Sequence, residues 1–183
     1  MGSSETCIHK MTTELLAHHD TRELGIPLRI HNAVQRHTCV HCGLVTHAIP
    51  LPERLISASA VCRVKMSEKL SGAEIRFIRK ALRQSAKDMA DILQVAPETF
   101  SRWENDKAPI NPTSEKLLRI LAGIRLGPYA PAVGFKTEDI IDMNVKAVLN
   151  RDEEIVVALE LVRFKNDAER EPTKEYTQEQ KAA

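Results

Sequence analysis

No apolar run in the chain approaches the roughly 20 residues that a membrane-spanning helix needs. No charged start leading into an apolar core marks a secretory leader either, so the expected setting is the cytoplasm, away from membranes. Neither sign of charge dominates: 26 basic and 25 acidic residues leave a net charge of +1. Bulk attraction to nucleic acid is therefore missing, and any such binding has to come from a local patch. The imbalance is regional, +2 over residues 1–67, +2 over 68–122 and −3 over 123–183. Catalytic signatures are lacking as well: there is no phosphate-cradling glycine-rich loop, no nucleophile elbow and no His-Glu-x-x-His. An enzyme is not expected. Residues 63–183 contain neither cysteine nor histidine, so all four cysteines and all seven histidines crowd into the first third of the chain.

At 183 residues with 43% hydrophobic content the chain can bury a core. Its most strongly patterned stretch is Leu70 to Leu121. Ser71-Gly-Ala-Glu74 and Ser85-Ala-Lys-Asp88 each set an N-cap hydroxyl three residues before a carboxylate, the capping-box arrangement. Behind the first cap Ile75, Ile78 and Leu82 recur at helical spacing, and behind the second Met89, Ala90 and Leu93 do. A third helix is expected from Pro97, with Phe100 and Trp103 on one side, and a fourth after Asn111-Pro112, burying Leu117, Leu118 and Leu121. Only Gln94-Val95-Ala96 separates the second from the third, which suits the sharp crossing of a helix-turn-helix pair. Arg76, Arg79, Lys80 and Arg83 line the other side of the first helix and read first as a solvated face and second as phosphate contacts.

Ala90, Leu93, Val95, Thr99, Ser101-Arg102-Trp103-Glu104 and the closing leucines resemble the XRE (lambda-repressor/Cro-like) family over the whole unit. The resemblance implies that the third helix enters the major groove of double-stranded DNA. Glu98, Thr99 and Arg102 would then meet base edges, with Ser101 beside them in the DNA-binding set. Arginine suits guanine and glutamate the cytosine amino group. Two positions depart from the family pattern: Gln94 stands at the usual turn glycine, and Ala86 where a phosphate-contacting glutamine is usual. Gln94 is strained if its φ is positive. Lys87, or the free amides at the Ser85 end, would supply the phosphate contact instead.

Before this unit, Cys39-Val-His-Cys42-Gly43 is a metal knuckle: its spacing brings two thiolates to one ion, and Gly43 frees the turn beneath them. A second pair is expected near Cys7-Ile-His9-Lys10, where Lys10 takes the place of a second cysteine. The proposed ligand set is Cys7, His9, Cys39 and Cys42, holding Zn²⁺, with His18, His19 and His41 as competitors for the last place. Cys62 reads as a buried free thiol, His31 and His47 as outward residues on strands, and His18-His19-Asp20 as an exposed polar patch. Ile26–Ile30 and Val45–Ile49 alternate like short strands.

The order of knuckle region, short helix and XRE unit resembles the MqsA/YgiT-type zinc-finger antitoxins and related regulators over about residues 5–121. That likeness implies a homodimer binding a palindromic operator, with a toxin as a further partner. The expected fold is mainly α with a small β part. It runs as a zinc-ribbon-like β domain over 1–51, a connecting helix over 52–67, the helix-turn-helix bundle over 68–122, a short β or mixed segment over 123–165 and a disordered tail over 166–183. Within 123–165, Gly127 to Gly134 reads as a loop. Val145–Leu149 and Ile155–Phe164 suggest a hairpin, although Ile155, Ala158, Leu159 and Val162 also fit a helix. The expected function is a sequence-specific transcriptional regulator, a repressor, with an antitoxin-like protein-interaction module as the alternative.

Overall fold

The computed structural model describes residues 7–146, 155–164 and 172–179. Strands β1 (Met11–Leu15), β2 (His18–Thr21), β3 (Leu28–His31), β4 (Gln35–Cys39) and β5 (Val45–Ala48) lead into helix α1 (Pro52–Lys65). Helices α2 (Gly72–Ala81), α3 (Ala86–Ile92), α4 (Pro97–Glu104) and α5 (Pro112–Leu126) follow, then a 3₁₀ turn at Gly127–Tyr129 and α6 (Thr137–Ile141). Strands β6 (Val157–Phe164) and β7 (Thr173–Gln178) close the described chain.

The fold is not mainly α with a small β part. Strands lie at both ends and form a three-stranded sheet, β1-β4-β5, and a four-stranded sheet, β2-β3-β6-β7. The larger sheet unites the two ends of the chain: β6 lies parallel to β3, with Ile30 opposite Leu159, and β7 pairs antiparallel with β6. A polar strand therefore stands inside the tail expected to be disordered. Its anchor is Tyr176, fully buried, whose hydroxyl donates to the Pro50 carbonyl at 2.7 Å. β6 finds its partners in β3 and β7 rather than in Val145–Leu149. Of that segment Lys146 makes an isolated bridge to Glu68, and residues 147–154 lie outside those described.

Helix α1 is more than a connector. Leu55, Ala58, Ala60, Val61, Cys62 and Val64 are all buried in one core that runs from Ile26 in the sheet region to Leu126 in the helices. A helix enclosed on every side needs no single apolar stripe, which explains the weak periodicity of its sequence. Ser57 and Ser59 sit in this interior because their hydroxyls donate back to the Glu53 and Leu55 carbonyls. On its two sides α1 meets β6 and β7, and α5 and α2.

The central helices start where the caps place them. Both capping boxes form, and Asn111 Oδ1 accepts from Ser114 N–H at 2.8 Å to start α5. Ile75, Ile78, Met89, Ala90, Phe100, Trp103 and Leu118 are buried together, Leu121 is half-buried, and Leu117, expected in the core, is 43% exposed. Arg79 also departs from the expected solvated face: its guanidinium bonds Glu104 at 2.8 Å and ties α2 to α4. Arg76 does the same through the Glu104 carbonyl and Asn105.

Candidate metal centre and the exposed face of α4

Residues 7–10, ahead of β1, belong to no helix, strand or turn, and there Cys7 and His9 join the donor group while Ile8 between them is 91% exposed. Pairing of β1 with β4 sets Met11 opposite Cys39, and the Val40 amide donates to the Lys10 carbonyl at 3.0 Å. These contacts bring the two halves together. The knuckle closes as Gly43 N–H donates to the Cys39 carbonyl and Cys39 N–H to that of Leu44, with Gly43 at φ 72°.

Cys7 Sγ lies 3.8 Å from Cys39 Sγ, and Cys42 Sγ lies 3.5 Å from His9 Nδ1. All four donor atoms fall within 4.8 Å of one another, an arrangement that could hold a metal ion. The Cys39 thiol is pulled down to about 5, first by the Cys42 backbone N–H and then by His9 and the His41 N–H. The Cys7 thiol is pushed up to about 11, first by its hydrogen bond with Cys42 and then by burial and Cys39. An ion that demands thiolates displaces the protons its ligands carry. Four protein donors fill a tetrahedron and leave no open position for a substrate, which suits a structural ion.

Of the competing histidines, His18 and His19 belong to β2 and face other rings, while His41 sits exposed in the knuckle with its backbone N–H towards Cys39, and the four donors come together without its ring. His18 faces His31 across β2 and β3. His31 is half-buried with Nε2 3.4 Å from Glu179 Oε1, and His19 stacks on the exposed His47 with ring centroids 4.7 Å apart. Asp20 is held by Arg29 through two bonds of 2.7 Å. Cys62 is fully buried, and burial pushes its thiol up to about 12.

Helices α3 and α4 are joined by the short turn through Gln94, which has φ 55° and donates its side-chain amide to the Asp91 carbonyl at 2.8 Å. The left-handed conformation expected at that position is present, and glutamine bears it without a glycine's freedom. Phe100, Trp103 and Glu104 fix the inner face of α4. Glu98, Ser101 and Arg102 are exposed on its outer face, while Thr99 is half-buried. On α3, Lys87 is exposed, and the Ser85 hydroxyl is engaged in its own cap, 2.6 Å from Asp88 Oδ2. Lys107, just past α4, adds an exposed cation that the sequence reading did not single out.

Sequence reasoning also missed two fully buried arginines, Arg63 and Arg119, which hold the connection between α1 and α2. Their signal was weak, since each sits in a helix where an outward charge is the ordinary reading.

Comparison with family models, with curated proteins and with solved structures finds no match. Among the described residues, no helix is long and apolar enough to cross a membrane.

Proposed function

We propose that the protein is a sequence-specific DNA-binding regulator that acts as a dimeric repressor and presents α4 to the major groove. The observation that carries this reading is the division of α4 into two faces: Phe100, Trp103 and Glu104 locked inward, Glu98, Ser101 and Arg102 free to solvent beside a short turn. Arg102 is the base-reading residue, and Lys87 supplies a backbone contact. Selection of bound sequences from random duplex DNA tests it and should return a palindromic site. Arg102→Ala should then cost about 1–3 kcal/mol and relax selectivity at one base pair. Equal binding of operator and scrambled DNA by both wild type and variant would reject it.

Zinc is the metal this reading assigns to Cys7, His9, Cys39 and Cys42. Bond lengths of about 2.3 Å to sulfur and about 2.0–2.1 Å to nitrogen make the edges of a zinc tetrahedron about 3.8 Å between sulfurs and about 3.5 Å between sulfur and nitrogen. Two of the six donor separations, 3.8 and 3.5 Å, match these edges, with all of them within 4.8 Å, and that supports the assignment.

A second reading has its own observation. Around the knuckle Ile8, Val40, Leu44 and Val45 are 91, 53, 45 and 47% exposed, more apolar surface than a small ribbon needs for itself. As an antitoxin-like module, this region would grip a partner protein, and DNA binding would be secondary. Co-purification from native cells, repeated with Leu44→Ser and Val45→Ser, tests it: a specific partner retained by wild type and lost from the variant supports the module.

A further inference from the structure

A cleft of about 570 Å³, lined by no residue of the metal centre or of α4, lies between the start of α1, the last turn of α2 and the end of α5. Ile56, Leu82 and Leu126 give it an apolar floor. Its rim is basic: Arg54, Lys80, Arg83 and Arg125 stand there against a single carboxylate, Glu53. Two of those cations have partners, since Arg54 contacts Glu175 and Arg83 bonds Glu53 at 2.9 Å. The Arg83–Glu53 pair is 80 and 83% exposed, so solvent screens it and an incoming anion can take its place. Lys80 and Arg125, both exposed, keep the rim positive after these pairs are counted. Tyr129, on the 3₁₀ turn after α5, lines the same opening and is 65% exposed.

The volume falls in the range of small-ligand sites, roughly 300–1,000 Å³. Its composition is that of a site for a planar, partly apolar group joined to a polyanion: an aromatic ring to stack on, an apolar floor, and cations spaced around the mouth. We propose that the cleft binds a nucleotide, its base against Tyr129 and the apolar floor and its phosphates between Lys80 and Arg125. This assignment stands apart from the reading of α4, because it concerns different residues and is read by small-molecule binding alone.

Calorimetric titration of the full chain with ADP, pyrophosphate and adenosine tests it. ADP should bind one to one, pyrophosphate more weakly and adenosine weakest. The double variant Lys80→Ala with Arg125→Ala should weaken ADP by at least about tenfold, while Tyr129→Ala should weaken ADP and leave pyrophosphate unchanged. The Arg102→Ala variant should bind ADP as wild type does. Absence of ADP binding at millimolar concentration, or an ADP affinity indifferent to all three cleft substitutions, overturns the proposal. A double variant that loses only melting temperature would assign the two cations to their helix C-termini. A fall in duplex-DNA affinity and in its salt dependence, with no ADP binding, would assign the cleft to the DNA backbone. Either result overturns it as well.

Discussion

Arg119 and Glu115, one turn apart on α5 and both fully buried, meet with Nη2 2.7 Å from Oε1, and together they hold a segment of chain that belongs to neither. The Arg119 guanidinium donates to the carbonyls of Val64, Met66 and Glu68, while Glu115 Oε1 accepts the Leu70 N–H at 2.9 Å. Arg63 completes the clamp by bonding Glu74 and the carbonyls of Glu68 and Lys69. The connection between α1 and α2 is thereby fixed to α5, and the sheet region is set against the central helices. Burial disfavours the Arg119 charge and Glu115 works the other way. Arg119→Met leaves the carboxylate buried without its cation and the Val64 and Met66 carbonyls without the donor they share, while Glu68 keeps its bond from Arg63. A loss of about 3–5 kcal/mol is expected, read as a lower urea midpoint at unchanged slope. A loss under about 1 kcal/mol would mean that water replaces the guanidinium and that no clamp exists.

Gly72 is a second tie, between the start of α2 and the end of α4. Its N–H donates to Asp106 Oδ1 at 2.7 Å, and a Cβ there would lie 2.6 Å from the Trp103 carbonyl oxygen and 2.7 Å from that of Glu104. Those are backbone atoms of the α4 terminus, so relief requires moving the helix. Gly72→Ala should destabilise by about 1–3 kcal/mol, the usual cost of overpacking. If α4 reads DNA, operator affinity should fall as well, since the displaced backbone of Trp103 and Glu104 directly follows Arg102. A melting temperature equal to wild type would show that α4 can shift without cost.

Local chemistry was legible in the sequence and distant pairing was not. Ser71 with Glu74 and Ser85 with Asp88 announce two helix starts within four residues each, and both boxes form. Cys39 and Cys42 announce a knuckle for the same reason, and Cys7 and His9, proposed with them from the sequence, are the residues that the fold brings to the same place. Strand β6 was legible only in part: Ile155–Phe164 read as one arm of a hairpin or, through Ile155, Ala158, Leu159 and Val162, as a helix, and nothing local pointed to the parallel partner β3, more than a hundred residues earlier. β7 is harder still. Its sequence, Thr-Lys-Glu-Tyr-Thr-Gln, buries Glu175 beside Tyr176, and nothing short of the assembled sheet shows that Arg54 stands ready to meet the carboxylate.

With an ion held by the four donors, as proposed, the three-stranded sheet should depend on it. Cys39 is the one buried residue in β1, β4 and β5, so almost no apolar area stabilises these strands. Metal binding can supply the missing folding free energy. Cys39→Ser should reduce bound zinc from one equivalent to near none, measured by native mass spectrometry. Hydrogen exchange should then show loss of protection over residues 11–48 within β1, β4 and β5 while α2 to α5 keep theirs. Chelation of the wild type should reproduce that pattern. Retained protection in a metal-free sample would show that strand pairing alone suffices.

His19 and His47 join the two sheets, one ring on β2 and the other on β5, with centroids 4.7 Å apart. Burial, followed by the neighbouring His47, lowers the His19 pKa below its usual 6.5, outweighing the opposite pull of Glu23 and Asp20. A depressed histidine pKa means that the unfolded chain takes up its proton first as the solution is acidified. Above about 6.5 both states carry a neutral ring and His19 adds no pH dependence. As pH falls through that value towards the lower folded pKa, the unfolded state gains protons and stability drops. The urea midpoint should therefore be lower at pH 5.5 than at pH 7.5, and His19→Asn should shrink that difference. If the variant keeps the full wild-type difference, the acid sensitivity belongs to other groups and the contact between rings is electrostatically idle.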